Sequence, residues 1–511
     1  MRRKLALVTA LVLVASMAVS GTALAACAGK TIKGTRGNNT IKGTCGPDKI
    51  YGLGGHDIIN GLGGKDRLFG GPGNDKLTGS SGADTLKGEG GNDSLNGGLS
   101  ADTLSGGPGA DTLTYATSSL GVSVDLLVAP NTANGGDATG DKPSGFEKLI
   151  GSTHDDDLTL HQGTLVGGAG GDDLHTDLGT VIDYRTSSTP VDIDLVEGPD
   201  PCAPSNTNPE SGGDAQGDTI SEPWGAIVGT SGDDTIVANC TGDASTLNGW
   251  GGADTLTATG NQIVIGGPGG DIIGQSSTHG VMQLDYRDSA AGVNIDLTME
   301  LQTGGDAEGD TITGEWQIVT GSSHDDSIVG DGAANAFVGG AGNDSLLGAA
   351  GDDNLNGGAG NDSLDGSTGD DRLFPGPGND ILAGGTNNPV NASPGPGGDF
   401  VFYGAAPSGI TISLTDGVAS GEGRDLLTGF EHVQGSAFDD TIMGNDDVNY
   451  IEGGTGDDWM FGYAGNDYLG GGDGNDRADG GSGGETQWLV IYPGMNGDIC
   501  GAELTLNCEV G

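Results

Sequence analysis

The chain has 511 residues, of which 105 are glycine and only 5% are aromatic. Its formal net charge is −53 at pH 7, so a compact fold must offset strong repulsion between carboxylates. This composition excludes a large conventional globular core. It favours a solenoid, in which each turn buries its aliphatic side chains against the neighbouring turns.

The first 26 residues have the pattern of a secretory signal peptide. Residues 1–4 are basic, residues 5–19 are almost entirely apolar, and residues 23–25 form a small-residue Ala-Leu-Ala cleavage motif. We therefore expect a secreted, extracellular protein. The rest of the sequence holds no other long apolar run, so no transmembrane segment is predicted.

A strict nine-residue period follows. An Asp or Asn stands at every ninth position from Asn39 to Asp111, and an aliphatic residue stands two places after each one, such as Ile59 after Asp57. The preceding residues are mostly glycine, as in the Gly-Gly-Pro-Gly-Asn-Asp-Lys-Leu-Thr of residues 70–78. A flexible Gly/Asp linker gives no reason for this register. The pattern predicts short strands whose aliphatic side chains point inward.

This nonapeptide resembles the RTX (haemolysin-type) calcium-binding repeat. The resemblance implies an all-β fold, a parallel β-roll or β-helix solenoid in which two nonapeptides make one turn. Residues 18 apart in the sequence, such as Asp57 and Asp75, would then stack at a strand spacing of about 4.8 Å. It also implies calcium as the cofactor, with multiple ions bound, because carboxylate and turn carbonyl oxygens are the ligands that Ca²⁺ prefers.

The candidate calcium ligands are the aspartates that hold the nine-residue register in three blocks. They are Asp48, Asp57, Asp66, Asp75, Asp84, Asp93, Asp102, Asp111, Asp326, Asp344, Asp353, Asp362, Asp371, Asp380, Asp440, Asp458, Asp467 and Asp476. Between these blocks Asp172, Asp234, Asp254 and Asp271 keep the Asp-x-aliphatic pattern without the strict spacing. We take those four as weaker candidates.

A longer unit occurs four times between the blocks. It opens on Tyr115, Tyr184, Tyr286 or Tyr403 and continues with alternating aliphatic residues, a pattern that indicates a half-buried strand. Three copies then contain Gly-Gly-Asp-Ala-x-Gly-Asp. The unit resembles the inserts that separate calcium-repeat blocks in large secreted bacterial proteins. We predict four β-rich inserts, each a wider solenoid coil or a small β-excursion on the same axis, with the tyrosines as packing residues.

The cysteines are even in number, which together with predicted export favours disulfides. The candidates are Cys27, Cys45, Cys202, Cys240, Cys500 and Cys508. Cys27 and Cys45 are 18 residues apart, one turn of the expected roll, and would stack within the Cα separation of about 4.4–6.8 Å that a disulfide needs. Proximity alone suggests Cys202–Cys240 and Cys500–Cys508. Residues 24–27 also resemble a bacterial lipobox, so a protein lipid-anchored at Cys27 is the alternative.

The repeats divide the chain into segments. We predict a signal peptide (1–26), calcium β-roll block 1 (27–114), two inserts with degenerate repeats (115–183 and 184–285), an insert (286–325), calcium β-roll block 2 (326–399), an insert (400–439), calcium β-roll block 3 (440–480) and a C-terminal cap (481–511).

The sequence contains neither the H-E-x-x-H zinc motif nor the G-x-S-x-G nucleophile elbow, and we expect no enzyme. The favoured function is a secreted calcium-binding protein whose solenoid folds on binding multiple calcium ions outside the cell, without a catalytic domain. The alternatives are a calcium-stiffened cell-surface adhesin or matrix component and, less favoured, a hydrolase with an unrecognised site. Calcium is the expected partner, nucleic acid is not, and a surface glycan or protein partner is left open.

Overall fold

The computed structural model describes residues 27–127, 131–177, 179–194, 213–216, 218–221, 225–238, 245–258, 260–275, 280–387 and 397–481, and the backbone of two strands at 488–490 and 499–500. The chain forms two compact units, Met1–Thr153 and His154–Gly511. The predicted signal peptide, Cys202, Cys240, Cys508 and the side chain of Cys500 lie outside the described residues.

Unit 1 is a parallel β-solenoid built from very short strands. They are β1 (Thr31–Lys33), β2 (Thr40–Lys42), β3 (Lys49–Tyr51), β4 (Ile58–Gly63), β5 (Arg67–Pro72), β6 (Lys76–Ser81), β7 (Thr85–Gly90), β8 (Ser94–Leu99), β9 (Thr103–Ser105), β10 (Thr112–Thr114), β11 (Ser123–Asp125), β12 (Thr132–Asn134), β13 (Lys142–Ser144) and β14 (Lys148–Ile150). One sheet has the order β1-β3-β5-β7-β9-β13. The facing sheet stacks β2, β4, β6, β8, β10 and β14 in parallel.

Unit 2 is built from the same kind of coil. Its strands are β15 (Asp157–Thr159), β16 (Gly163–Val166), β17 (Asp173–His175), β18 (Thr180–Asp183), β19 (Asp192–Asp194), β20 (Thr219–Ser221), β21 (Ala226–Val228), β22 (Thr235–Val237), β23 (Ser245–Asn248), β24 (Thr255–Ala258), β25 (Gln262–Ile265), β26 (Ile272–Gln275), β27 (Gln283–Asp285), β28 (Asn294–Asp296), β29 (Thr311–Ile312), β30 (Ile318–Thr320), β31 (Ser327–Val329), β32 (Ala336–Ala341), β33 (Ser345–Leu347), β34 (Asn354–Ala359), β35 (Ser363–Thr368), β36 (Arg372–Phe374), β37 (Ile381–Thr386), β38 (Phe400–Phe402), β39 (Thr411–Ser413), β40 (Val418–Ser420), β41 (Arg424–Thr428), β42 (His432–Gln434), β43 (Thr441–Met443), β44 (Tyr450–Thr455), β45 (Trp459–Phe461), β46 (Tyr468–Asp473), β47 (Arg477–Asp479), β48 (Trp488–Val490) and β49 (Ile499–Cys500). The predicted all-β solenoid is confirmed.

The stacking period is two nonapeptides. Ile41 lies over Ile59, Ile59 over Leu77 and Leu77 over Leu95 in consecutive parallel strands. These aliphatic side chains are 0–8% exposed, so the aliphatic residue two places after each Asp forms the core. The strands are short because the intervening glycine turns bend the chain back after a few residues. Gly71, for example, has a φ of 109°, a conformation that side chains with a Cβ rarely adopt.

The described parts of the third and fourth inserts add strands to the solenoid. In the third insert β28 pairs in parallel with β31 of the following block. In the fourth, β39 pairs in parallel with β43 and is joined to β41 through the antiparallel strand β40. Among the described residues the helical elements are three short 3₁₀ turns, Gly136–Ala138, Gly213–Ala215 and Gly305–Ala307. In the same residues, no helix has the length and apolar character that a bilayer crossing requires.

The predicted neighbours Cys27 and Cys45 form a disulfide, with Cα atoms 4.5 Å apart. The separation of 18 residues is the same as the separation of stacked strands, so the bridge joins two adjacent turns at the start of the roll. A sulfur in this disulfide cannot also carry a lipid. The other two predicted pairs stay predictions.

Candidate calcium sites

The aspartates of the repeat form continuous columns. In unit 1 the backbone N–H of Asp57 donates to Oδ1 of Asp75, and that of Asp75 donates to Oδ1 of Asp93, both at 2.7 Å. A second column runs in the same way through Asp66 and Asp84. We call each column an Asp ladder. The side chains are 0–3% exposed, so each turn buries two carboxylates that point along the solenoid axis.

The second carboxylate oxygen of most ladder residues has no hydrogen-bond partner. Within the described part of the chain, buried Oδ2 atoms without a donor belong to Asp57, Asp66, Asp75, Asp84, Asp93, Asp102, Asp111, Asp172, Asp254, Asp271, Asp344, Asp353, Asp362, Asp371, Asp380, Asp399, Asp458 and Asp467. A buried carboxylate without compensation is costly. Eighteen such oxygens, most of them in the nine-residue register, are a property of the repeat and fit a bound cation.

Sixteen of these eighteen oxygens point at a glycine five residues earlier; the exceptions are those of Asp380 and Asp399. A Cβ built on Gly52 would lie 2.2 Å from Oδ2 of Asp57 and 2.5 Å from the carbonyl oxygen of Gly70 in the next turn. A Cβ on Gly88 would likewise lie 2.1 Å from Oδ2 of Asp93. Glycine is therefore required because a carboxylate oxygen and a main-chain carbonyl oxygen converge on the space that a side chain would fill.

Burial raises the pKa of these carboxyl groups and so disfavours their ionised form. It raises the pKa of Asp102 to about 8, helped by the neighbouring Asp141 and Asp84, although a hydrogen bond from the Asp84 backbone opposes the shift. Burial also raises the pKa of Asp353 to about 7 and that of Asp66 to about 6. Burial therefore disfavours the ionised form of these groups, which a bound cation would stabilise.

The donor set fits calcium, a hard cation that takes six to eight oxygen ligands. In the described residues no three His, Cys, Asp or Glu side chains gather at one point. A metal ion on the ladder would therefore be held by one or two Asp carboxylates together with main-chain carbonyl oxygens of the glycine turns. When bound, calcium would supply the positive charge that these buried oxygens lack.

Three of the predicted ligands differ from the others. Asp48, Asp326 and Asp440 begin their blocks, and their carboxylates accept hydrogen bonds from a Ser or Thr four residues earlier. For Asp326, the Ser322 N–H donates to Oδ2 at 2.6 Å and the Ser322 hydroxyl donates to Oδ1 at 2.9 Å. These carboxylates are already partly satisfied. The nine-residue register alone does not distinguish them.

The degenerate region keeps the ladder in spite of its irregular spacing. The N–H of Asp234 donates to Oδ1 of Asp254, and that of Asp254 donates to Oδ1 of Asp271, both at 2.8 Å. The column therefore continues although these contacts join residues 20 and 17 apart in the sequence. Asp399, which was not among the candidates, also lies on the ladder and accepts the Asp371 N–H at 2.8 Å. The local pattern Asp399-Phe-Val401 carries the same signal and could have identified it.

Each insert contains a ladder aspartate whose second carboxylate oxygen accepts a hydrogen bond from a tyrosine. Tyr115 donates its hydroxyl to Oδ2 of Asp141 at 3.0 Å. The pairs Tyr184–Asp218, Tyr286–Asp310 and Tyr403–Asp425 repeat this contact at 2.9, 2.9 and 2.7 Å. The interpretation of these tyrosines as packing residues is therefore incomplete. The four tyrosines are buried, and the hydroxyl of each also donates a hydrogen bond to Oδ2 of an aspartate. In most nonapeptide turns the corresponding Oδ2 has no donor.

Comparison with known families agrees with this geometry. Six segments match the model of the RTX calcium-binding nonapeptide repeat (4 copies), namely residues 42–77, 78–113, 320–355, 347–382, 427–460 and 452–484. Together they cover less than half of the chain and coincide with the three blocks of strict spacing. No curated protein matches the chain.

Proposed function

We propose that this chain, a protein built on RTX calcium-binding nonapeptide repeats, is a secreted protein whose solenoid folds when multiple calcium ions bind outside the cell, and that it has no catalytic domain. The observation that carries the proposal is the row of buried Asp Oδ2 atoms without donors. Because of this buried negative charge, we expect the folded state to be poorly populated at neutral pH when calcium is absent.

Energetics support coupling between calcium and folding. An extracellular calcium module has a Kd of about 10⁻⁴–10⁻³ M, so about 1 mM calcium stabilises the folded state by roughly 0.4–1.4 kcal/mol at each independent site. The summed stabilisation from several such sites is comparable to the free energy of unfolding of an ordinary domain, about 5–15 kcal/mol. A chain of this charge can therefore stay unfolded where calcium is scarce and fold where it is abundant.

A calcium titration tests the proposal. The protein without its signal peptide is followed by far-UV circular dichroism from chelator to millimolar calcium, and isothermal calorimetry gives the stoichiometry. We expect little β-structure in chelator and a cooperative gain of β-signal with several ions bound per chain. Magnesium at the same concentration is the control. An identical spectrum in chelator and in calcium would contradict the proposal.

A pair of single substitutions locates the binding. Asp75→Ala removes a mid-ladder carboxylate with an unsatisfied Oδ2, whereas Asp137→Ala removes a carboxylate from the 3₁₀ turn Gly136–Ala138 of an insert. We expect the calorimetric stoichiometry and affinity to fall for Asp75→Ala and to change little for Asp137→Ala. Overlapping isotherms, or the reverse order, would argue against calcium on the ladder.

A further inference from the structure

The basic residues of this acidic chain are concentrated in one place. Nine of its 19 Lys and Arg residues lie within residues 30–87. The acidic residues of the same segment are all ladder residues, 0–3% exposed: Asp48, Asp57, Asp66, Asp75 and Asp84. The outer surface of residues 30–87 therefore presents cations without exposed carboxylates. Glu89, which is exposed, stands just beyond its edge.

The strand register places four of these cations on one sheet. Lys33 is opposite Tyr51, Tyr51 opposite Phe69 and Phe69 opposite Lys87 in β1, β3, β5 and β7, which makes one row along the solenoid axis. Lys49 is opposite Arg67 in the adjacent row. We call Lys33, Lys49, Arg67 and Lys87, with the two rings between them, the basic face. Neighbouring positions along a row are about 4.8 Å apart.

The cations of the basic face have no carboxylate partner. Ion pairs between Lys or Arg and Asp in the described residues join Arg185 to Asp183 at 2.8 Å and Arg287 to Asp285 at 2.9 Å, both in unit 2. On the basic face the Lys33, Lys49 and Arg67 cations lie near aromatic rings instead. The Lys49 Nζ is 5.0 Å from the Tyr51 ring centre, and the Arg67 guanidinium is 5.7 Å from that of Phe69. Their charge is therefore available to an external anion.

The rings indicate what kind of anion fits. Tyr51 and Phe69 stack on each other with centres 5.0 Å apart and planes 14° apart, and the Lys33, Lys49 and Arg67 cations lie 5.0–5.8 Å from the ring centres. Single-stranded nucleic acid binds by stacking bases on aromatic faces, whereas these two rings already stack on each other. A flat row of cations instead suits a linear polymer that carries acidic groups at intervals and needs no stacking.

We propose that the basic face binds an acidic polysaccharide, a linear glycan with carboxylate or sulfate groups, which lies along the solenoid axis. The proposal goes beyond calcium-dependent folding and rests on it only in that unit 1 must be folded. Charge complementarity carries it: the face is unpaired and positive in a protein of net charge −53, which otherwise repels polyanions.

Binding is measured by fluorescence anisotropy on the full mature chain in millimolar calcium. The probes are labelled dextran sulfate and unsulfated dextran of the same length. We expect binding to dextran sulfate alone, weakened by salt because the contacting charges are exposed. The variant Lys33→Gln/Lys49→Gln/Arg67→Gln/Lys87→Gln should lose about tenfold or more in affinity, as expected for removal of several ionic contacts.

A matched control removes four charges elsewhere. The variant Lys42→Gln/Lys76→Gln/Arg372→Gln/Arg424→Gln changes the net charge equally and spares the basic face, so it should keep most of the affinity. Circular dichroism during a calcium titration is the folding control. Both variants should fold at the calcium concentration at which the parent chain folds. Equal binding by the two variants would overturn the proposal.

Two further measurements distinguish an acidic polysaccharide from two other kinds of partner. Tighter binding of an oligo(dT) strand than of dextran sulfate, lost in the basic-face variant, would overturn the proposal in favour of single-stranded nucleic acid. Self-association at low salt in sedimentation velocity, lost in the same variant and accompanied by no dextran sulfate binding, would assign the face to the acidic surface of a second copy. Loss of calcium-induced folding in the parent chain would contradict the proposed function instead.

Discussion

The nonapeptide turns and the insert turns bury the same carboxylate in two different ways. In both, an Asp on the ladder accepts the backbone N–H of the Asp one turn earlier, as Asp75 accepts that of Asp57 at 2.7 Å and Asp310 that of Asp271 at 2.9 Å. They differ at the second oxygen. Oδ2 of Asp75 has no donor, whereas Oδ2 of Asp310 accepts the Tyr286 hydroxyl at 2.9 Å.

We expect this difference to separate turns that depend on a metal ion from turns that do not. A phenol hydroxyl satisfies a buried carboxylate by donating a proton in a hydrogen bond, and burial together with Asp310 raises the pKa of Tyr286 well above its ordinary value, so the donor keeps its proton. Turns whose ladder Oδ2 has no donor lack this compensation, and a bound cation would supply it. We therefore expect calcium dependence to be concentrated in those turns, with the Tyr–Asp turns of the inserts as calcium-independent joints.

The largest expected effect is a reversal of pH dependence by calcium. Burial raises the pKa of Asp344, Asp353 and Asp458 to about 7 from 3.8. Without calcium the folded state thus binds more protons than the unfolded state, and its stability falls as pH rises through 7. With calcium, protons compete for the same oxygens, so stability falls as pH drops. Circular dichroism in chelator should show more β-structure at pH 5 than at pH 8, and the order should invert in millimolar calcium.

The matched measurement uses the same protein and buffers, with calcium or chelator as the only difference. If β-structure in chelator increased from pH 5 to pH 8, the buried ladder carboxylates would be ionised without a counter-ion in the folded state. That result would contradict the contrast between the two kinds of turn.

The sequence predicts the parts of this structure that follow from a strict period. The 18-residue stacking, the aliphatic core and the Cys27–Cys45 disulfide follow from the nine-residue register. The ladder in the degenerate region, and the place of Asp399 on it, could not be predicted from spacing, because a solenoid tolerates loops of any length between strands that keep their register. The Tyr286–Asp310 contact joins residues 24 apart in an insert without periodicity, and only folding brings them together.

A smaller effect is expected from filling the space beside one ladder carboxylate. In Gly88→Ala the new Cβ would lie 2.1 Å from Oδ2 of Asp93 and 2.7 Å from the Gly106 carbonyl oxygen, so both must move. We expect a loss of calcium affinity and, in calcium, destabilisation of about 1–3 kcal/mol, which is typical of overpacking. The matched control is Gly90→Ala, whose Cβ meets nothing within 4 Å. Equal melting temperatures and calcium affinities for the two variants would mean that the glycine is not needed for the carboxylate.

The smallest effect is expected from Tyr286→Phe, which converts one insert turn into a turn without a donor. The substitution keeps the ring and removes the proton that Oδ2 of Asp310 accepts. Leaving that buried oxygen unsatisfied should cost about 1–3 kcal/mol, and the loss should be similar in limiting and in saturating calcium because the parent turn relies on no metal. The double variant Tyr286→Phe/Asp310→Asn is the control, because a neutral amide is cheaper to bury than a carboxylate and should recover part of the loss. Thermal melts at the two calcium concentrations measure both variants. Full recovery of Tyr286→Phe by saturating calcium, with one more ion bound by calorimetry, would show instead that the tyrosine had been blocking an ordinary calcium site.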